Sequence, residues 1–189
     1  MNRRQFISRT TVSLAVLPAV VSTASWPASQ GGRFVTQAEA ATLDALCARI
    51  IPADQHPGAA WAGAVLFIDR KLVGYRREDQ AVYRSGLEAI NRASQVLLGQ
   101  PFTALTEEQQ DGLLQRLENG QLPETRLSES AQKAFFSRLA DDTMQGFYGG
   151  PRHGGNRDSV SWRMLGLPQP PVRSRRPTDA PWAKGKGGA

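Results

Sequence analysis

The side chains able to do chemistry are few and thinly partnered. Among 189 residues there are two histidines, His56 and His153, and one cysteine, Cys47. A single thiol excludes an internal disulfide and any cysteine-rich zinc or iron–sulfur centre, and two imidazoles leave little for a histidine-based metal site. Cys47 falls between Leu43 and Ile50 on an apolar helical stripe, the setting of an inert core thiol. His56 precedes Pro57-Gly58, a turn. Adjacent carboxylates occur at Glu107-Glu108 and Asp141-Asp142. Neighbours on a helix point about 100° apart, so neither pair shares one substrate easily. The first pair suits the positive end of a helix dipole, and the second is expected to pair with Arg138 or another surface arginine. No Ser-His-Asp arrangement assembles. What remains for a stand-alone ligand-binding or enzymatic reading is the loose set His153, Asn156 and Asp141.

Residues 146–156 carry five glycines and a proline, a density that permits positive φ and close backbone approach to another surface. This run follows a helix instead of joining a strand to a helix. It also lacks the Walker lysine and the dinucleotide spacing, so it is not a phosphate cradle. Aromatic residues surround it: Phe135, Phe136, Phe147, Tyr148 and Trp162. They read either as core or as a docking surface, since interface centres favour large aromatics. Consecutive Phe135 and Phe136 cannot both face one core stripe.

The net charge of +6 sits at the ends. Residues 1–24 carry +3 and residues 172–189 carry +4, leaving the body at −1. A basic chain with a neutral body gives no support to a nucleic-acid partner. The opening Arg3-Arg4-Gln5-Phe6-Ile7, the modest apolar stretch Val12 to Val21 and the small residues Ser22-Thr23-Ala24 make a signal peptide over 1–28. The arginine pair and mild hydrophobicity favour the twin-arginine route, with Arg3, Arg4 and Phe6 as the targeting residues. No stretch approaches the roughly 18 apolar residues of a membrane span. The Pro, Gly, Lys and Arg content of 172–189, with Trp182 its only aromatic, predicts disorder or ordering on a partner; an anionic membrane surface or a nucleic acid is the alternative partner, and the export signal weighs against the second.

Between the ends, residues 33–171 read as one all-α domain, a bundle of about five helices with a Gly/Pro-rich C-terminal loop. Thr36 to Glu39 fits a capping box, and Leu43, Leu46, Cys47, Ile50 and Ile51 follow on one face until Pro52. A second stripe over 60–73 uses Trp61, Ala64, Val65, Ile68 and Leu72. A third, over about 77–98, uses Val82, Tyr83, Leu87, Ile90, Ala93, Val96 and Leu97. Thr106 to Gln109 forms another capping box before Leu113, Leu114 and Leu117. Ser128 or Ser130 caps the last helix, which contains Phe135, Phe136, Leu139, Thr143, Met144 and Phe147.

These residues resemble the gluconate 2-dehydrogenase subunit 3 family. The resemblance opens with Thr36-Gln37-Ala38-Glu39 leading to Arg49-Ile50-Ile51-Pro52-Ala53-Asp54. It continues through Phe67-Ile68-Asp69-Arg70, Tyr83-Arg84-Ser85-Gly86-Leu87 and Pro101-Phe102. Its most specific part comprises Phe135-Phe136, Thr143, Gly146-Phe147-Tyr148-Gly149, Pro151, Gly154-Gly155-Asn156, Trp162, Gly166 and Pro168. The sequence departs where the family usually carries an acid (Gly150), a tyrosine (His153) and glycines (Ser161 and Gln169).

The resemblance implies a non-catalytic small subunit with no cofactor of its own. Such subunits accompany a large FAD-containing dehydrogenase of the glucose–methanol–choline type, often with a multihaem cytochrome c, and supply the export signal for the complex. The residues of the most specific part, from Phe135 to Trp162, then become the expected partner contacts. The complex is expected in the periplasm, associated with the membrane through its partners.

Overall fold

The computed structural model describes residues 34–167. The expected signal segment at 1–28 with Arg3, Arg4 and Phe6, the basic tail at 172–189, and Pro168 lie outside the described residues. Among the described residues there are seven α-helices and no strand.

Thr36 opens α1 (Gln37–Ile50) with the expected reciprocal cap. Its hydroxyl accepts from the Glu39 N–H at 3.3 Å, and the Glu39 carboxylate accepts from the Thr36 N–H at 2.8 Å. Just before it, the buried carboxylate of Asp69 accepts from the N–H groups of Phe34 and Val35 at 2.8 and 3.0 Å, which fixes where the chain enters the helix.

The stripe expected as one helix over 60–73 is two, α2 (Ala59–Ala62) and α3 (Ala64–Val73). The break is Gly63, whose φ of 76° is left-handed and ends a helical turn at little cost for glycine. α4 (Gln80–Leu98) buries Tyr83, Leu87, Ile90 and Ala93 as expected. Val96 and Leu97, expected on the same inner face, are exposed instead. Every residue from Gln95 to Pro101 faces solvent, so the last turn of α4 runs past the body. α5 (Glu107–Glu118) starts on the Thr106–Gln109 capping box, and α6 (Glu129–Tyr148) on Ser128.

α6 is the central helix: it packs against α1, α2, α3, α4, α5 and the short α7 (Val160–Met164). α7 stands where a loop was expected. The central position of α6 goes with a partly polar inner face. Gln132 exchanges bonds with the backbone of Leu122, accepting from its N–H at 2.8 Å and donating to its carbonyl at 3.3 Å. Thr143 donates to the Leu139 carbonyl at 2.7 Å and meets the Cys47 sulfur at 3.3 Å. Burial pushes the Cys47 thiol up to about 12, the inert core thiol that its stripe predicts.

Candidate docking surface at the end of the central helix

The C-terminal half of α6 and the segment that follows it hold most of the singled-out residues, and the structure sorts them by depth. Phe135, Thr143, Gly146 and Phe147 lie inside this chain. They are corrected from contact positions to core positions, because α6 is surrounded by helices on that side. The Phe135 ring rests on Gly86, where a Cβ would come within 2.4 Å of it, and meets the Tyr83 ring edge-on with centroids 5.7 Å apart. Phe136, next along, is half-buried, so the two consecutive phenylalanines do divide between faces. Met144 and Tyr148 stand one turn apart on the outer face of α6, 45% and 44% exposed. The Tyr148 ring sits edge-on to Phe147 at 4.8 Å, and Trp162 on α7 donates its indole N–H to the Tyr148 carbonyl at 2.9 Å.

Four glycines of the run approach this chain's own backbone and helices. A Cβ on Gly146 would come within 3.0 Å of Ala64, and one on Gly155 would lie 2.0 Å from the Gly146 carbonyl oxygen. One on Gly154, at φ 112°, would meet Arg70 and the Leu66 backbone. Gly149 has the Gln145 carbonyl 2.4 Å from its Cβ position. At Gly146, Gly149, Gly154 and Gly155 the space that a side chain would take is filled by the fold itself. Pro151 begins a single 3-10 turn, Pro151–His153.

Asn156 locks this segment down. It is fully buried, donates to the Gly149 carbonyl at 2.8 Å and accepts from the Ser161 N–H at 3.0 Å. Its own φ of 47°, with 51° at Asp158 and 53° at Ser159, puts three non-glycine residues in the left-handed region within four positions. Arg157 stacks over the Trp61 ring at 5.5 Å and opposes the charge of Asp44, whose carboxyl burial lifts to about 6.

The set His153, Asn156 and Asp141 does not assemble. The Asn156 amide is engaged on both sides. His153 is exposed and accepts from the Arg152 guanidinium at 2.9 Å. Asp141 lines a polar cleft of about 330 Å³ with Lys71, Arg76, Arg138 and Gln145, and neither His153 nor Asn156 belongs to its walls.

At the base of that cleft lies a group the sequence did not announce. The buried carboxylate of Asp142 accepts from the Lys71 ammonium and, at 2.8 Å, from the Tyr83 hydroxyl; Lys71 also reaches the Gln145 side-chain oxygen at 3.3 Å. Burial first, and then the adjacent Asp142 charge, raise the Tyr83 hydroxyl well above its ordinary value. Asp142 therefore pairs with Lys71 in the interior, not with Arg138, which holds the buried Asp79 instead. Only the burial of Asp142 could be found in the spacing, since it follows Leu139 by three and precedes Gly146 by four, a core register; its partners could not.

The family model described as gluconate 2-dehydrogenase subunit 3 matches residues 37–168. The chain belongs to this family. The match runs from the first residue of α1 past the end of α7, so it takes in every helix described. No curated protein and no solved structure matches the chain. This subunit 3-type chain is thus an accessory-subunit fold. Among its described residues, no three His, Cys, Asp or Glu side chains are grouped to hold a metal ion. No helix among them is long and apolar enough to cross a membrane.

Proposed function

We propose that this chain is the small, non-catalytic subunit of a periplasmic FAD-dependent dehydrogenase of the glucose–methanol–choline type. In this reading it binds the large flavoprotein subunit in the cytoplasm and takes it through the twin-arginine pathway. Arg3, Arg4 and Phe6 engage the translocase, and the helical body stays with the complex afterwards. The flavin and its hydride chemistry belong to the large subunit, and haem belongs to a cytochrome c partner where one is present. Membrane association is peripheral and runs through those partners.

Membership of the subunit 3 family carries this reading. The exposed pair Met144 and Tyr148, the half-buried Trp162 beside them and the ridge Gly149–Pro151 offer a contact surface on the helix that touches all the others. Interface energy concentrates in such aromatic anchors.

The test is fractionation of cells co-expressing the chain with its large subunit. Wild-type chain should place the flavoprotein in the periplasm, and Arg3→Lys/Arg4→Lys should leave it in the cytoplasm as an intact complex. Periplasmic flavoprotein with the double variant would remove the escort role; failure of the two wild-type chains to co-purify would remove the partnership.

A further inference from the structure

A second surface lies away from the docking end, and its chemistry points to a ligand within this same chain. α1, α5 and α6 enclose a shallow groove of about 700 Å³. Ile50, Leu114 and Phe136 form its apolar floor, and Glu108, Asp111 and Glu118 its rim. The single cation among the lining residues is Arg49. That guanidinium is already engaged, by Asp111 at 2.7 and 2.8 Å and by Glu107 at 2.6 Å. The groove therefore faces solvent with a carboxylate excess, and the amides of the first turn of α5 keep the Glu108 carboxyl below its usual range.

Gly112 stands in the middle of α5 at the groove wall. A Cβ there would touch nothing within 4 Å, so no packing inside the described body accounts for a glycine. A mid-helix glycine costs about 0.5–1 kcal/mol relative to alanine, and it leaves room for another backbone to come close.

The complementary segment is in the sequence. Residues 172–189 carry Arg173, Arg175, Arg176, Lys184 and Lys186 against one acid, Asp179, with Trp182 as their only large apolar side chain. The reach is sufficient. The Trp162 bond to Tyr148 sets the end of the described chain at the C-terminus of α6, and Phe136 lies twelve residues back along that helix, about 18 Å. Fifteen residues separate Leu167 from Trp182 and span up to about 50 Å when extended.

We propose that this groove seats the chain's own basic C-terminal segment, its arginines against Glu108 and Glu118 and Trp182 over Ile50, Leu114 and Phe136. This inference is independent of the proposed dehydrogenase partnership.

A nitroxide placed by Ser174→Cys in the full chain tests it, because Cys47 is buried and stays unlabelled. At low salt the amide signals of 108–118 should be broadened, at a level independent of protein concentration. The broadening should vanish in about 0.5 M salt, where screening falls to a few ångströms, and in the fully exposed pair Glu108→Lys/Glu118→Lys. Broadening confined to another surface, or absent, overturns the assignment. Concentration-dependent broadening gives the groove to a second copy, and broadening of the same amides from a label at Ser8 gives it to the N-terminal segment; either result overturns it as well. If vesicles of anionic lipid bind the tail while the 108–118 signals are unaffected at every salt concentration, the tail serves a membrane and not this groove.

Discussion

Gly155 lies against Gly146 so closely that a Cβ on the first would stand 2.0 Å from the carbonyl oxygen of the second. The chain leaves α6, turns through Pro151–His153 and returns onto the helix it has just left, with Asn156 bonded to the Gly149 carbonyl to close the loop. That contact buries Gly146 and Gly155, and it makes the outer aromatics Tyr148 and Trp162 neighbours.

Gly155→Ala must push this return off α6. Overpacking against backbone costs about 1–3 kcal/mol. Thermal unfolding should fall accordingly, and amide exchange should quicken over 149–164 before it does elsewhere. Gly112→Ala runs the other way: its Cβ meets nothing, so removing a mid-helix glycine should stabilise the chain by about 0.5–1 kcal/mol. Equal effects from the two substitutions would contradict this account of the glycines.

Lys71→Met leaves the Asp142 carboxylate buried with only the Tyr83 hydroxyl as a partner. Breaking a buried ion pair from one side costs about 3–5 kcal/mol, whereas replacing both partners is often close to neutral. Urea denaturation of Lys71→Met, Asp142→Leu and the double variant should show the double variant more stable than either single one.

Asp44 carries a pH signature. Its carboxyl titrates near 6 in the folded chain because of burial, with Arg157 acting in opposition, against an ordinary 3.8. Between those values the folded state keeps a proton that the unfolded state releases. The associated stability is complete below about 3.8 and is lost as pH rises through about 6. Asp44→Asn should therefore raise stability above pH 6 by on the order of 2 kcal/mol and leave it nearly unchanged at the acid end. Melting temperatures of both proteins across that range decide the matter; parallel curves would refute it.

Tyr148→Ala and Trp162→Ala should each weaken association with the large subunit by on the order of 2 kcal/mol, while Phe136→Ala at the other end of α6 should not. Binding measured against the purified flavoprotein, with helical content checked by circular dichroism, separates lost contact from lost fold.

Much of this architecture was readable from local rules. Thr36 with Glu39 and Thr106 with Gln109 are caps written within four residues, and both form as written. The stripes Leu43–Cys47 and Leu113–Leu117 bury as their period demands. The misreadings share one cause. Gly63 breaks a helix whose apolar period continues across it, and Val96 and Leu97 keep a core period beyond the point where α4 has neighbours. Periodicity reports which face would be inner; it does not report whether anything lies opposite.

The same limit applied to the site. Phe135, Phe147 and Gly146 were visible as a cluster, but depth separated core from surface, and depth depends on which helices surround α6. Asp142, Lys71 and Tyr83 are 71 and 59 residues apart along the chain, so no spacing joins them.

What the amino-acid order determined alone is whatever hydrogen bonding and burial decide within one or two turns: the caps, the helical faces, the charge-split ends and the family signature. Tertiary structure decided the rest, namely which aromatics remain outside, which acid meets which base, and where a glycine serves contact instead of freedom. Those outcomes depend on distances between segments remote in sequence, which come into being only when the helices close around α6.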